Sequence, residues 1–152
     1  MLGLVKAESG TIELFGKPIT EITMQDRQKI GVSLAESGFN GQFTIAEVKK
    51  ILAKMYPEFD ETWFMRECRE LRLPEGKQLK EFSNGMKAKL RVLTALSHKA
   101  QLLILDEPTA GLDAKERIRF RNVISSLAAY KIVILATHIV TDIAYVAKTV
   151  VL

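Results

Sequence analysis

The sequence has very little of the features that mark secreted, membrane-spanning or metal-stapled proteins. Its 152 residues include a single cysteine, Cys68, which excludes a disulfide framework and a paired-cysteine metal site. No apolar run approaches the roughly 18 residues that a transmembrane helix needs. The N-terminus also lacks the charged-then-apolar pattern of a signal peptide. We therefore expect a cytoplasmic protein in which Cys68 plays no chemical part.

The sequence also lacks a strong excess of charge of either sign. The chain carries 22 Lys and Arg against 18 Asp and Glu, a formal net charge of +4. Two small basic clusters, at residues 87–91 and 117–121, could face nucleic acid or an anionic membrane, but a solvated surface is the simpler interpretation. We expect no nucleic-acid partner. Length and a hydrophobic content of 47% suit one domain with a packed core.

Strand patterns occur near both ends of the chain. Residues 11–19 alternate apolar and polar side chains and then meet Gly16 and Pro18, which predicts a strand ending in a turn. Residues 30–34 form a second short candidate. The apolar runs at 102–105 and 132–136 are typical of parallel strands that are buried on both faces.

Helical patterns fill the middle of the chain and separate the later strands. Apolar spacing, N-cap residues and proline or glycine stops predict helices over residues 45–55, 60–73, 83–97, 114–129 and 139–147. The order of elements predicts an α/β core that is interrupted by a helical insertion. We assign residues 1–36 and 98–152 to the core and residues 37–97 to the insertion.

The stretch LLILDEPTAGLD, at residues 102–113, carries the most specific chemistry. Asp106 would stand at the carboxyl end of a buried strand, where ligands bind in open α/β sheets, and could hold Mg²⁺ directly or through water. Glu107 is placed to orient or deprotonate an attacking water. Pro108 cannot continue the ladder and ends the strand. The alternative for this stretch is a plain acidic turn.

Two further segments have side chains that suit phosphate. Ser83 and Gly85 lie at a predicted helix start, where free N–H groups and the positive dipole end favour anions. An ordinary N-cap is the simpler alternative there. His138 follows the strand at 132–136 and could bond a terminal phosphate oxygen. We expect His98 to be an ordinary surface or helix-start residue.

Taken in order, these segments resemble the ATP-binding domain of ABC transporters. FSNGM (82–86) resembles the signature motif of that family, LLILDEP (102–108) the Walker B motif, AGLD (110–113) the D-loop and ATH (136–138) the H-loop. The segment GTIELFGKPI and the helical insertion also resemble the family, so the resemblance covers essentially the whole chain. It implies a P-loop NTPase-like, ABC ATPase core with a helical subdomain.

The resemblance implies a role for each of these residues. Asp106 would hold Mg²⁺, Glu107 would act on the water and His138 on the γ-phosphate. The signature residues Ser83, Asn84 and Gly85, with Asp113 of the D-loop, would meet the ATP bound by an opposite subunit. Asn84 replaces the usual glycine, which is workable because Asn tolerates left-handed backbone angles.

The chain has no glutamine at the position of the family's Q-loop glutamine. Counting from Gly31, that glutamine would fall on Ala35, with Glu36 next in the chain. The resemblance therefore implies Glu36 as the nucleotide-contacting residue, with a carboxylate in place of an amide. Gln42 is the weaker alternative and is expected to be a loop residue.

No segment matches the phosphate loop G-x-x-x-x-G-K-[ST]. The nearest, Gly10 to Pro18, has five intervening residues, a proline in place of the hydroxyl residue and a strand pattern. Gly76-Lys77 fails because Leu71 occupies the first glycine position. We expect a fragment that begins inside or just after the family's first helix, with the N-terminal strand and phosphate loop missing. Such a fragment should bind ATP poorly and expose apolar surface on its core.

The function implied by the resemblance is that of an ATP-binding, ATP-hydrolysing subunit, here a fragment, of an ABC-type membrane transporter. Its cofactors would be ATP and Mg²⁺, and its partners a transmembrane permease subunit and a second ATPase subunit in a homodimer or heterodimer. It would lie peripherally on the cytoplasmic face of the membrane, with the permease's coupling helix in the groove near residues 36–43.

Two other functions remain open. The chain could be a non-catalytic partner of a full-length ABC ATPase, which the missing phosphate loop favours. It could also be a soluble ABC-type ATPase that acts on nucleic acid or the ribosome. A strong basic arm or a coiled-coil insertion would be expected for that function, and the sequence has neither.

Overall fold

The computed structural model describes residues 8–34 and 38–149. The first element is an antiparallel hairpin of β1 (Glu13–Leu14) and β2 (Lys17–Pro18). Phe15 and Gly16 form its turn with φ values of 53° and 72°, and positive φ at both central residues is typical of a two-residue hairpin. The predicted strand ending in a turn therefore agrees with β1 and the reversal at Gly16, but the return strand β2, which includes Pro18, was not predicted.

Three parallel strands form the central sheet of the described chain. A short helix, α1 (Met24–Arg27), leads into β3 (Ile30–Ser33). The order is β3, then β4 (Leu102–Asp106), then β5 (Ile132–Ala136). Ile30 pairs with Leu102, and Leu102 pairs with Ile132. The three strands lie where the apolar runs predicted them.

The two later strands differ in burial. In β4, Leu103 and Leu105 are completely buried, as predicted. In β5, Ile132 is 65% exposed and the other side chains are at least partly exposed. The prediction of a strand buried on both faces is therefore wrong for β5. The reason is that β5 pairs with β4 alone among the described strands and lies at the sheet edge.

The helical insertion begins with two well-capped helices. In α2 (Ile45–Met55), Thr44 and Glu47 form a reciprocal capping box. α3 (Glu61–Glu70) starts at the Asp60 cap but ends three residues before the predicted Leu73. It stops because Arg72 adopts a φ of 56° and the amide of Leu73 donates to the carbonyl of Cys68 at 2.9 Å, which closes the helix in a Schellman motif.

The insertion has a hydrophobic core of its own. α4 (Asn84–Leu96) packs with α2 and α3 around a cluster that includes Val48, Phe64, Cys68 and Val92. Cys68 is completely buried, and burial, followed by the nearby carboxylates, raises the pKa of its thiol to about 12. A thiol in this state is not a nucleophile, so the structure agrees with the prediction that Cys68 has no chemical part.

The last helices pack against each other beside the sheet. α5 (Ala114–Leu127) lies between β4 and β5 in sequence, and α6 (Val140–Val146) follows β5. Both are slightly shorter than predicted. Among residues 8–34 and 38–149, no helix combines the length and apolar character needed to cross a bilayer.

His98 lies in the interior and not at the surface or a helix start, so the prediction for it was wrong. It is 4% exposed, and its ring stacks on Tyr56 with 4.0 Å between the ring centroids. Its Nε2 lies 3.3 Å from the carbonyl oxygen of Ile30. Burial lowers the pKa of this imidazole, so the neutral ring is favoured.

The placement of α4 depends on a close approach to β3. A Cβ atom on Gly31 would collide with the carbonyl oxygen of Ala95 in α4 and lie 2.7 Å from Leu103 Cδ2 in β4. We therefore expect Gly31→Ala to destabilise the protein by about 1–3 kcal/mol, the usual cost of overpacking a core. Chemical unfolding followed by circular dichroism would measure this change.

Gly76→Ala is the matched control, because a Cβ on Gly76 meets no atom within 4 Å. Its effect should be small. Equal stability of the Gly31 and Gly76 variants would contradict the close approach of α4 to the sheet.

Candidate functional site

The candidate site begins at the carboxyl end of β4. Asp106 is the last residue of the strand and pairs with Ala136 of β5. The next residue, Glu107, has a φ of 46°, a left-handed conformation that costs a non-glycine residue roughly 1 kcal/mol or more. Its amide nevertheless donates to the carbonyl of Ala136 at 2.8 Å. The chain thus turns sharply while the ladder to β5 continues by one more bond.

The Glu107 carboxylate is bound by the segment that follows β5. It accepts hydrogen bonds from the His138 amide at 2.8 Å and from the Thr137 hydroxyl at 3.2 Å. Its Oε1 also lies 2.7 Å from His138 Nδ1. The structure therefore brings together two of the residues predicted to be catalytic, one from each strand end.

The ionisation of Glu107 reflects two opposed influences. Partial burial raises the pKa of the carboxyl group, and the hydrogen bonds from His138 and Thr137 lower it. The hydrogen bonds prevail, so the pKa lies below the ordinary value for glutamate. At neutral pH the group is a carboxylate that can orient a water or accept a hydrogen bond.

The signature segment lies at the start of α4. Ser83 is the N-cap, and its Oγ accepts a hydrogen bond from the Met86 amide at 3.2 Å. This is the ordinary capping role considered as the simpler alternative. Capping uses the oxygen as an acceptor and leaves the hydroxyl proton able to donate. Ser83 and Asn84 are both exposed.

The D-loop segment lies directly against this helix start. A Cβ atom on Gly85 would be 2.8 Å from the carbonyl oxygen of Gly111, so glycine is required for the approach. Gly111 itself has a φ of 75°, which favours glycine. Asp113 then caps α5 by accepting from the Glu116 amide at 2.9 Å. The start of α4 at Gly85 therefore lies against Gly111, two residues before Asp113, so the structure brings the signature and D-loop segments together.

A buried ion pair joins α4 to α5 behind this contact. Lys89, which is 7% exposed, pairs with Glu116 in the first turn of α5. Its Nζ also lies 3.5 Å from the carbonyl of Leu71. Because a buried ammonium without a partner is costly, this pair fixes the register of the two helices. Lys89 belongs to the basic cluster at residues 87–91, so the interpretation of that cluster as a solvated surface was wrong for this residue. Glu116 was not singled out by the sequence pattern.

Of the two candidates for the Q-loop position, only Gln42 lies within the described residues. Glu36 lies outside the described residues. Gln42 is in an exposed loop, where its amide donates to Asn40 Oδ1 at 2.9 Å and its Oε1 accepts from Lys80 at 3.3 Å. These contacts agree with its prediction as a loop residue.

The β4 end offers few side-chain ligands for a magnesium ion. No group of three or more His, Cys, Asp or Glu side chains in the described parts of the chain could hold a metal by itself. Mg²⁺ commonly takes only one or two carboxylates and fills its other positions with water and phosphate oxygens. Asp106 therefore fits as one protein ligand to a magnesium–nucleotide complex, and it does not suit a metal held by protein alone.

Three polar residues near the site were not predicted from the sequence. Thr137 donates to Glu107, while Thr109 and Asp142 form a buried pair beneath the 107–113 segment. Thr109 lies within the DEPTAGLD stretch, so its position could have drawn attention. For Asp142 the sequence offered only an acidic residue in the first turn of a predicted helix, which does not indicate a buried partner.

The His138 contact should be measurable through the titration of Glu107. We expect His138→Ala to raise the pKa of Glu107, because the side-chain bond is lost while burial continues to favour the neutral carboxyl. Carbon-13 NMR of the glutamate carboxyl groups against pH would show this shift.

Glu47 is an internal control for that titration. Hydrogen bonds from Thr44 lower the pKa of Glu47, and this group lies at the start of α2. Its titration should be the same in both proteins. A Glu107 titration that does not change in the variant would contradict the His138 contact.

Comparisons with known proteins agree with the geometry. A protein-family model described as ABC transporter matches residues 1–110. The bacitracin transport ATP-binding protein BcrA of Bacillus licheniformis is 35% identical over 150 residues, 94% of this chain and 48% of that protein. The Nod factor export ATP-binding protein I of Cupriavidus metallidurans is 31% identical over 148 residues, 93% of this chain and 49% of that protein. The chain thus spans about half the length of these relatives.

Solved structures give the same result for the fold. The ATP binding subunit of an ABC transporter superposes with a TM-score of 0.80 at 25% identity, over 95% of this chain and 63% of that one. A dimeric post-hydrolysis state of an ATP-binding cassette, bound to ADP and Pi, superposes with a TM-score of 0.76 at 19% identity, over 91% and 67%. The fold is that of ABC ATPase domains, and the chain belongs to the ABC transporter family.

Proposed function

We propose that these residues serve in an ATP-binding, ATP-hydrolysing subunit of a membrane transporter. The observation that carries the proposal is the Glu107–His138 pair beside Asp106 at the carboxyl end of β4. Family membership and the names of the relatives, which are transport and export ATP-binding proteins, support the same function. The roles of the individual residues and the division of the chain into core and helical insertion at residues 36 and 97 are part of the proposal.

The carboxylates divide the chemistry between them. Asp106 would hold Mg²⁺, and the ion supplies stabilisation of phosphate charge when it is bound. Glu107 orients the attacking water, and His138 can reach a phosphate oxygen with the ring nitrogen that Glu107 leaves free. Because the hydrogen bonds from His138 lower the pKa of Glu107, Glu107 would accept a proton from water more readily once this contact loosens.

The other predicted residues face a second nucleotide in this proposal. Ser83, Asn84 and Gly85 stand at a helix start, where backbone N–H groups and the helix dipole attract phosphate oxygens. With Asp113 they would meet ATP held mainly by a partner ATPase subunit, in a homodimer or heterodimer. The printed residues contain no G-x-x-x-x-G-K-[ST] segment. A phosphate loop must therefore be supplied to the site, by the same polypeptide or by the partner.

A groove beside α4 is the proposed docking place for the permease. A cavity of about 640 Å³ lies there, with the apolar side chains of Phe39, Leu52 and Met55 in its lining. Lys87 and Arg91, one helical turn apart on α4, also line it, and none of the described lining residues carries a carboxylate. Arg91 is partly buried, and this burial lowers the pKa of its guanidinium.

These features suit an amphipathic helix that carries an acidic side chain. Its apolar face would cover the floor of the groove, and its carboxylate would neutralise the like-charged pair of Lys87 and Arg91. Such a helix of the permease would hold the ATPase subunit on the cytoplasmic face of the membrane.

The catalytic proposal is tested by Glu107→Gln in the natural polypeptide that contains these residues. We expect kcat for ATP hydrolysis to fall about 10²–10⁴-fold, the usual contribution of a positioned acid–base group. Binding of ATP, followed by calorimetry, should be retained. Glu70→Gln is the control, since Glu70 is exposed in α3 and away from the site. An unchanged kcat for Glu107→Gln would contradict the catalytic role of Glu107, and the absence of ATP hydrolysis in the unmodified polypeptide would favour the non-catalytic partner instead.

The docking proposal is tested by reversing the charge of the groove. The double variant Lys87→Glu, Arg91→Glu should reduce the membrane-bound fraction of the natural polypeptide in cell extracts, because an acidic helix would then be repelled. Lys115→Glu with Lys148→Glu makes the same change in net charge at exposed positions elsewhere. Equal membrane association of the two double variants would contradict the groove as the docking place.

A further inference from the structure

A buried hydrogen bond joins the segment after Glu107 to helix α6. Thr109, two residues beyond Glu107, donates its hydroxyl proton to the Asp142 carboxylate. Both side chains are 1% exposed. A carboxylate in such a place is costly unless it is paired and hydrogen-bonded, and a hydroxyl bond to an ionised acceptor is stronger than a neutral one. Breaking this hydrogen bond would therefore leave a buried carboxylate at a high cost in free energy.

The Asp142 carboxylate depends on Thr109 because, among the described residues, only one of its two oxygens accepts a hydrogen bond from a side chain. Within the described parts of the chain, Oδ1 has no hydrogen-bond donor within reach. Its nearest cation is Arg121 Nη1 of α5 at 3.7 Å. That guanidinium also donates to the Thr141 carbonyl at 3.3 Å and lies 4.8 Å from the centre of the Tyr145 ring. Arg121 thus balances the charge, while Thr109 supplies the close hydrogen bond.

The segment after β4 is therefore joined to the chain after β5 at two points. The first is the contact of Glu107 with Thr137 and His138, and the His138 side chain is 79% exposed there. An ion pair that exposed contributes little stability by itself. The left-handed conformation of Glu107 also persists only if the surrounding structure holds it. The second point, Thr109 with Asp142, is buried and can provide that support.

We propose that Asp142 is a positioning residue for the site. Acting through Thr109, it holds the 107–113 segment on α6, so that Glu107 stays bound to His138. The importance of this alignment for hydrolysis rests on the proposed function, but the alignment itself can be measured without ATP.

The test compares amide hydrogen exchange in the 152-residue chain and its Thr109→Val variant by NMR. Valine keeps the branched shape and removes the donor. The His138 amide, which donates to Glu107, should exchange about tenfold faster, the factor expected when one hydrogen bond of support is lost. The amides of the β4–β5 ladder should change less, because their bonds do not depend on Thr109.

Three further variants complete the design. Thr109→Ser keeps the hydroxyl and should restore slow exchange at His138. Thr141→Val makes the same chemical change at an exposed position next to Asp142 and should have no effect. Asp142→Asn removes the charge and keeps the shape, and it should also speed exchange at His138. This variant provides the test if Thr109→Val does not fold.

The outcomes separate positioning from plain stability. Faster exchange at His138 relative to the ladder supports the proposal. Equal acceleration of all amides, or no change at His138, overturns it. In the natural polypeptide, Thr109→Val should also lower kcat for ATP hydrolysis while KM is retained. If no ATP hydrolysis is found there, the proposed function fails and the exchange result still decides the role of Asp142.

Discussion

The site depends on the parallel pairing of β4 with a strand on each side. Leu103 and Leu105 are completely buried, so β4 cannot shift by one residue without turning these side chains to the opposite face. That constraint fixes Asp106 opposite Ala136. It also places Glu107 where its amide can extend the ladder and its carboxylate can reach the chain beyond β5. The chemistry at the strand end is thus positioned by apolar burial together with the backbone ladder.

The signature segment is held in place by a different set of forces. α4 belongs to the core of the insertion through residues such as Val92, and it also packs closely on β3 at Gly31. At its start, Gly85 touches the backbone of Gly111, and farther along Lys89 pairs with Glu116 of α5. The helix is therefore fixed at its start, middle and end. A displacement of the insertion would be transmitted to the D-loop through these contacts.

Local chemistry explains which elements could be predicted from the sequence. α2 has the predicted bounds, and α4 agrees to within one residue, because their caps, Thr44 and Ser83, act within one turn of chain. The return strand of the hairpin at residues 13–18 was missed because Phe15 takes a positive φ that a bulky residue rarely adopts. His98 was wrongly expected at the surface because its burial depends on Tyr56 and Ile30, which are distant in sequence.

In the candidate site, too, short-range motifs could be predicted from the sequence and long-range contacts could not. Asp106, Glu107 and His138 could be named because each stands at a strand end in a recognisable motif. The partners that hold them could not, since Thr109 and Asp142 are 33 residues apart and Lys89 and Glu116 are 27 apart. A motif gives the groups that meet the substrate. The buried pairs that align those groups become evident only when the helices are packed.

The contact of Glu107 with His138 has a consequence for how the site would operate. A carboxylate whose pKa is lowered by hydrogen bonds is well placed to orient a water, yet it is a weaker proton acceptor than an ordinary glutamate. Under the proposed function, an arriving phosphate could draw His138 away from Glu107, since the His138 side chain is largely exposed. Loss of that bond would raise the pKa of Glu107 and strengthen it as a base. Under the proposed function, the same imidazole would restrain Glu107 before a nucleotide binds and release it afterwards.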